Sequence, residues 1–300
     1  MIVHLAMTTT MILWGVSFVA SKLVLEEISP LTYMGVRFLL ASVLLAGVMA
    51  LRGRPRFSRK THGMIALTAL AEPAAYFLFE TFGLTLLSPS IASLIIATTP
   101  LAVMLLAAAV LDEPLSRRGI AAVFFSITGI SFLVLGNGNA GALGVPEPGQ
   151  ILGIFLIFGA VLSAACYITL ARSLTQRHDP VNLTVIQTWW GAGVFIFLWR
   201  IQPAPARALS LSPLGWGAVI FLAAGATVAA FLLYNWALRY ETAGRASLYI
   251  NAIPVITAIT SWFVLGERLS AVQAAGALLV LLAVRFSSHP KEVLVVPPEG

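Results

Sequence analysis

The sequence predicts an all-α integral membrane protein: ten transmembrane helices arranged as two inverted five-helix repeats. Three observations carry this. Hydrophobic residues make up 59% of the 300 positions and charged residues only 10%, with a mean hydropathy of +0.94. A soluble domain needs roughly 25% charged residues to cover its surface, so lipid must replace water around most of this chain. Apolar runs of about 20 residues, the length that crosses a bilayer, recur from end to end. Finally, part of the first half returns in the second.

The spans are predicted at 5–25, 30–51, 63–86, 90–111, 118–136, 150–172, 180–200, 213–238, 244–265 and 270–286. The breaks between them are turn-forming. Glu26-Glu27-Ile28-Ser29-Pro30 separates the first two, and Leu87-Ser88-Pro89-Ser90 makes a tight hairpin. The Gly-, Asn- and Pro-rich stretch around 138–149 reads as the linker between a first repeat (1–137) and a second (150–288). Residues 289–300, ending Val-Val-Pro-Pro-Glu-Gly, read as a disordered cytoplasmic tail.

Charge placement tests this count. The net charge of +6 is not a nucleic-acid face, because the basic residues sit in short segments between apolar runs; the main cluster is Arg52, Arg54, Arg56, Arg59 and Lys60. With both termini in the cytoplasm, 13 of the 18 basic residues fall on the cytoplasmic side, as the positive-inside rule requires. A multi-pass protein of the cell (inner) membrane follows. The single cysteine, Cys166, excludes a disulfide framework within the chain and reads as packing.

The repeat appears when the sequence is shifted by 154 residues. Residues 92–116 then share 10 of 25 positions with 246–270, including Ala92/Ala246, Ser93/Ser247, Ile96/Ile250, Pro100/Pro254 and Glu113/Glu267. Unrelated apolar helices would share roughly two or three, so the likeness is an internal repeat. Five spans per copy is an odd number, so the copies cross the membrane in opposite directions, the architecture of many secondary transporters.

The residues around these positions resemble a known family. Pro100 with Leu111-Asp112-Glu113-Pro114-Leu115-Ser116, and Pro254 with Leu265-Gly266-Glu267-Arg268-Leu269-Ser270, are similar to the two halves of the EamA-type drug/metabolite transporters. Trp14-Gly15 with Ser17-Phe18, then Arg37-Phe38, resemble the opening of the same unit. Within the superfamily the chain looks most like the YddG-type exporters of aromatic and other amino acids. The resemblance implies an exporter working by alternating access, with substrate bound near the midplane between the halves.

Glu113 and Glu267 also have a structural reading. Each stands just before a helix N-terminus, where a carboxylate complements the helix dipole. Ser270 and Gln273 fit a capping box at the start of the last helix. Small residues on the fifth helix (Ala122, Ser126, Gly129) and the tenth (Ala271, Ala275, Gly276) suit close packing or a dimer contact, so monomer and homodimer both stand.

Ionisable groups inside spans default to function. In the third span Glu72, Tyr76, Glu80 and Gly83 fall on one helical face, which should meet a watery cavity or a basic partner. Arg37 or Lys22 is the candidate partner, and Arg37 is read as structural. The two carboxylates either bind a substrate ammonium, couple a proton, or form a structural pair. Tyr234, Asn235, Tyr249 and Asn251 add polar groups to the eighth and ninth spans. Pro100 and Pro254 each free a backbone carbonyl one turn back, and their helices are expected to flank the site; a simple packing kink is the alternative. Trp14 and Phe18, with Trp189 or Trp190, are placed to stack on an apolar substrate group.

No intramembrane His pair, P-loop or nucleophile–base dyad occurs, so no enzyme, metal or cofactor chemistry is expected. The expected function is export of neutral, including aromatic, amino acids or related metabolites as the small-molecule substrate, with the bilayer as the other partner and no nucleic acid. A multidrug or quaternary-ammonium exporter is the first alternative, and a channel or non-transporting scaffold the second.

Overall fold

The computed structural model describes residues 1–52, 57–111, 117–135, 148–204 and 208–287. Glu113, most of the linker and the tail lie outside the described residues. Those described form helices and turns with no strand. In chain order they are α1 (Ile2–Leu25), α2 (Pro30–Arg52), α3 (Arg59–Leu86), α4 (in two pieces, Pro89–Ile96 and Thr99–Leu111) and α5 (Arg117–Leu135). There follow α6 (Pro148–Arg177), α7 (Pro180–Ile201), α8 (Pro213–Leu238), α9 (Ala243–Leu265) and α10 (Ala271–Ser287). Eight of these are long and apolar enough to cross a membrane; α5 and α10 contribute only the shorter apolar stretches Ile120–Phe132 and Ala271–Ala283. The expectation of ten full-length spans is therefore met by eight, and α6 begins at Pro148, two residues before the expected boundary.

Local sequence sets the helix starts. Ser88-Pro89, Asp179-Pro180 and Ser212-Pro213 each place a capping side chain before a proline at the first helical position. Asp179 accepts from the Asn182 amide at 3.2 Å and Ser212 from Gly215 at 3.0 Å. The predicted capping box is present: Gln273 N donates to Ser270 Oγ at 3.2 Å, and Ser270 N to Gln273 Oε1 at 2.9 Å. Gly266, at φ 66° and ψ 15°, ends α9 in the left-handed conformation that glycine adopts without a steric penalty.

The major contacts join the first half of the chain to the second. α2 lies along α7, the second part of α3 along α6, α1 against α8 and α9, and α5 against α10. At Gly15 a Cβ would come within 2.6 Å of Ile256, so only glycine lets α1 approach α9 this closely. Thr257 Oγ1 donates to the Gly15 carbonyl at 2.9 Å across that contact. The first piece of α4 packs on Ile253–Leu265 and the second on Ala243–Tyr249. The two proline-containing helices therefore run in opposite directions. The outer surface carries bare apolar side chains, such as Phe263 at 74% and Phe155 at 69% exposure, which suits hydrocarbon rather than water.

Four helices depart from α geometry around the centre; in α9 the departure is a 3-10 turn at Ile250–Ala252. In α3, Glu72 is extended (φ −147°, ψ 120°) and Pro73 follows it, so the helix breaks across Leu70–Ala75. The residue before a proline is driven out of the helical region, which accounts for the extended Glu72. In α8, Phe221–Ala229 is a wide, π-type turn. Thr227 Oγ1 closes it by donating to Leu222 O at 2.9 Å. In α4 the break falls between Ile96 and Thr99, one turn before Pro100.

Candidate functional site

The irregular stretches of α3, α4 and α9 and their neighbours line a cavity of about 30 Å³, the room of a water or two. α1 supplies Trp14, Ser17 and Phe18; α2 supplies Arg37; α3 supplies Glu72, Tyr76, Phe77 and Glu80. α6 adds Tyr167, and α8 adds Tyr234. Ile96 and Thr99 of α4, and Ile250 and Ile253 of α9, complete the wall. Those last two pairs are equivalent positions under the 154-residue shift. The carbonyl that Pro100 frees, Ile96 O, accepts from Thr99 Oγ1 at 2.6 Å, and the one that Pro254 frees, Ile250 O, accepts the amide of Ile253. Both proline helices thus flank the cavity, and their freed carbonyls are satisfied locally.

Aromatic rings form half of the remaining wall. Trp14 sits 5.0 Å from Tyr234 and 5.4 Å from Phe231, centroid to centroid, and Tyr167 sits 6.1 Å from Phe231. Trp14 Nε1 donates to Ala226 O at 3.1 Å, using a carbonyl in the wide turn of α8. An apolar or aromatic group admitted to this cavity would meet rings that are themselves fixed.

Arg37 is buried at 1% exposure and is part of the wall, where the sequence suggested a purely structural residue. Its Nε donates to Thr227 Oγ1 at 2.9 Å and its Nη1 to Tyr33 Oη at 2.7 Å. The guanidinium also lies 4.3 Å from the Phe77 ring centroid, a desolvated cation–π contact that contributes about 2 kcal/mol. Among the described residues neither Glu72 nor Glu80 forms an ion pair with it. Glu80 is 3% exposed, and its Oε2, like the Tyr234 hydroxyl, is buried without a hydrogen-bond partner. Buried polar atoms left unpaired are uncommon, and a bound water or ligand is one way to satisfy them; Ser42 Oγ and Trp199 Nε1, outside the wall, are left in the same way.

The other predicted residues lie elsewhere. Asn235 is fully buried behind the wall, where its Oδ1 accepts from Tyr167 Oη at 2.8 Å and its Nδ2 donates to Thr184 Oγ1 at 2.9 Å. It positions Tyr167 and does not reach the cavity. Tyr249 bonds His4 near the start of α1, away from the centre. Asn251 is half-buried outside the wall, with Oδ1 unpartnered. Trp189 is 38% exposed on the outer face of α7, donating to Ser42 O at 3.4 Å, as an interface-belt tryptophan does. Lys22 is no partner for the carboxylates. It donates to Leu84 O at 2.8 Å and Leu87 O at 3.3 Å, capping the end of α3. Glu267 accepts from Ser90 Oγ at 2.9 Å.

Sequence reasoning missed Tyr167, Phe77 and Thr99. Tyr167 had a signal: it is the lone tyrosine of α6.

The sequence model of the EamA-like transporter family matches residues 1–135 and 151–288. An uncharacterized transporter of Archaeoglobus fulgidus is 28% identical over 280 residues, covering 93% of this chain and 95% of that one. The uncharacterized transporter YcxC of Bacillus subtilis is 28% identical over 278 residues, 90% of this chain and 87% of its own. A probable amino-acid metabolite efflux pump of Salmonella typhimurium is 26% identical over 279 residues, 90% and 89% of the two chains. One solved crystal structure matches with a TM-score of 0.67 at 18% identity over 95% of each chain, a likeness of fold.

Proposed function

The chain belongs to the EamA-like transporter family, a family of multi-pass membrane proteins, and on that premise we propose that it exports neutral amino acids, aromatic ones included, by alternating access. The observation that carries this reading is the pairing of opposite charges left unpaired in one aromatic-walled cavity. Arg37 has no carboxylate partner among the described residues, and Glu80 Oε2 has no donor. An α-amino acid supplies both: its carboxylate meets the guanidinium and its ammonium meets Glu80, while its side chain lies among Trp14, Phe18 and Tyr234. Burying these charges unpaired costs several kcal/mol each, about the gain available on binding a zwitterion.

The relative described as a probable amino-acid metabolite efflux pump supports the substrate class. The double match to the family model, the 154-residue repeat and the opposed directions of α4 and α9 support ten spans in two inverted five-helix repeats. A cavity of about 30 Å³ is too small for an amino acid and suits a closed state between two open ones. The positive-inside bias supports cytoplasmic termini in the cell (inner) membrane. The test is trans-stimulated uptake into proteoliposomes with a panel of labelled amino acids. Saturable counterflow of neutral amino acids is expected, and a panel in which none moves overturns the assignment.

A further inference from the structure

Glu72 differs from Glu80 in two respects. It stands on the extended residue of a broken helix, whereas Glu80 lies within a regular turn. Like Glu80 it is buried and makes no hydrogen bond or ion pair among the described residues. It also faces two spaces. One is the central cavity. The other is a separate void of about 10 Å³ walled by Phe38, Pro73, Thr184, Gln187, Thr188 and Thr227.

The charged and titratable groups around Glu72 are Arg37 from α2, Glu80 and Tyr76 from α3, Tyr167 from α6 and Tyr234 from α8; α7 presents only Gln187 and the threonines. Arg37 is the one cation among them, against two carboxylates. Once a zwitterion spans Arg37 and Glu80, Glu72 is a surplus anion in a low-dielectric site and needs a positive charge of its own. The void holds at most one water and lies beside a guanidinium, so a coordinated metal cation does not fit and a proton does.

We propose that Glu72 is the coupling-proton site of the transport cycle, separate from the substrate contacts. This rests on the function proposed above. With the site open to the outside, the Glu72 carboxylate takes up a proton and an O–H bond forms. With it open to the cytoplasm, that bond breaks and the proton leaves, so one proton enters for each zwitterion exported. The break in α3 lets the carboxylate turn between cavity and void, and on the void side the Gln187 amide, whose Nε2 has a proton beyond the one given to Thr68 Oγ1, solvates it.

The test uses the purified full-length protein in liposomes with tritiated phenylalanine. Wild type should show counterflow without a gradient and accumulation driven by a pH gradient. Glu72→Gln should keep counterflow and lose gradient-driven accumulation to below about a tenth of wild type. Glu72→Asp should restore coupling, which a purely structural role would not predict. Accumulation by Glu72→Gln equal to wild type overturns the proposal, as does accumulation driven by sodium and not by pH. Absence of wild-type counterflow instead defeats the substrate reading. The proton site is then read without substrate, by infrared difference spectra between acid and alkaline pH, where the absence of a titrating carboxyl band removed by Glu72→Gln overturns it.

Discussion

Ser90 Oγ donates to Glu267 Oε2 at 2.9 Å, and this bond ties the first turn of α4 to the loop that follows α9. The start of one proline helix is thereby fixed to the end of the other. Lys22 lies close enough to Glu267 for their charges to interact, and it caps α3 at the same end of the bundle. Glu267→Ala removes both partnerships and leaves a buried serine hydroxyl unpaired. A loss of about 1.5 kcal/mol or more is expected, read as a lower melting temperature in detergent. Glu267→Gln, which keeps an acceptor for Ser90, should lose less.

Acid should loosen one specific turn. The amide and hydroxyl of Ser212 donate to Glu27 at 2.6 and 2.7 Å and hold its exposed carboxyl below the usual carboxylate range. A depressed carboxylate stabilises the fold above its unfolded pKa and loses that contribution as pH falls through the folded value. The contact between the α1–α2 turn and the start of α8 should therefore persist at neutral pH and weaken below the ordinary glutamate value of about 4.3. Hydrogen exchange at Ser212 against pH checks this; Glu27→Gln should flatten the profile.

Asn235 should matter for affinity although it never reaches the cavity. Asn235→Leu leaves Tyr167 Oη and Thr184 without their buried partner, at a cost of about 1–3 kcal/mol. Freed of its bond, Tyr167 samples other rotamers. Half-saturation for counterflow should rise severalfold, whereas Tyr249→Phe, at the bundle end, should leave it unchanged.

Much of this arrangement is legible in the sequence, for identifiable reasons. Tyr76 and Glu80 reach one cavity because helical spacing puts them on one face, whereas Glu72 joins them across the break in α3, where that spacing does not hold. Pro100 and Pro254 announce the cavity walls because a missing amide must free a carbonyl. Pro73 carried the same message for α3, since the residue before it cannot stay helical, and weighing that dipeptide would have located the break. Arg37 reads as structural, and its bonds to Tyr33, one turn away on α2, and to Thr227 fit that reading; its place in the cavity wall beside Phe77 was not legible, because no periodicity links those segments to α2. Trp189 was misread because residue type alone cannot tell an inward ring from one facing lipid. The wide turn of α8 left no mark, because Phe221–Ala229 has the composition of any apolar helix.

The central claim is that Arg37 and Glu80 together clamp a zwitterion. It is tested most directly by competition for counterflow among phenylalanine, its decarboxylated amine and its N-acetyl derivative, in wild type, Arg37→Gln and Glu80→Gln. In wild type only phenylalanine should compete, since each analogue leaves one buried charge unpaired, a penalty of about 3–5 kcal/mol. Arg37→Gln should erase the preference over the amine, and Glu80→Gln the preference over the N-acetyl form. Equal competition by the amine and phenylalanine in wild type would contradict the account and mark the cavity as a cation site.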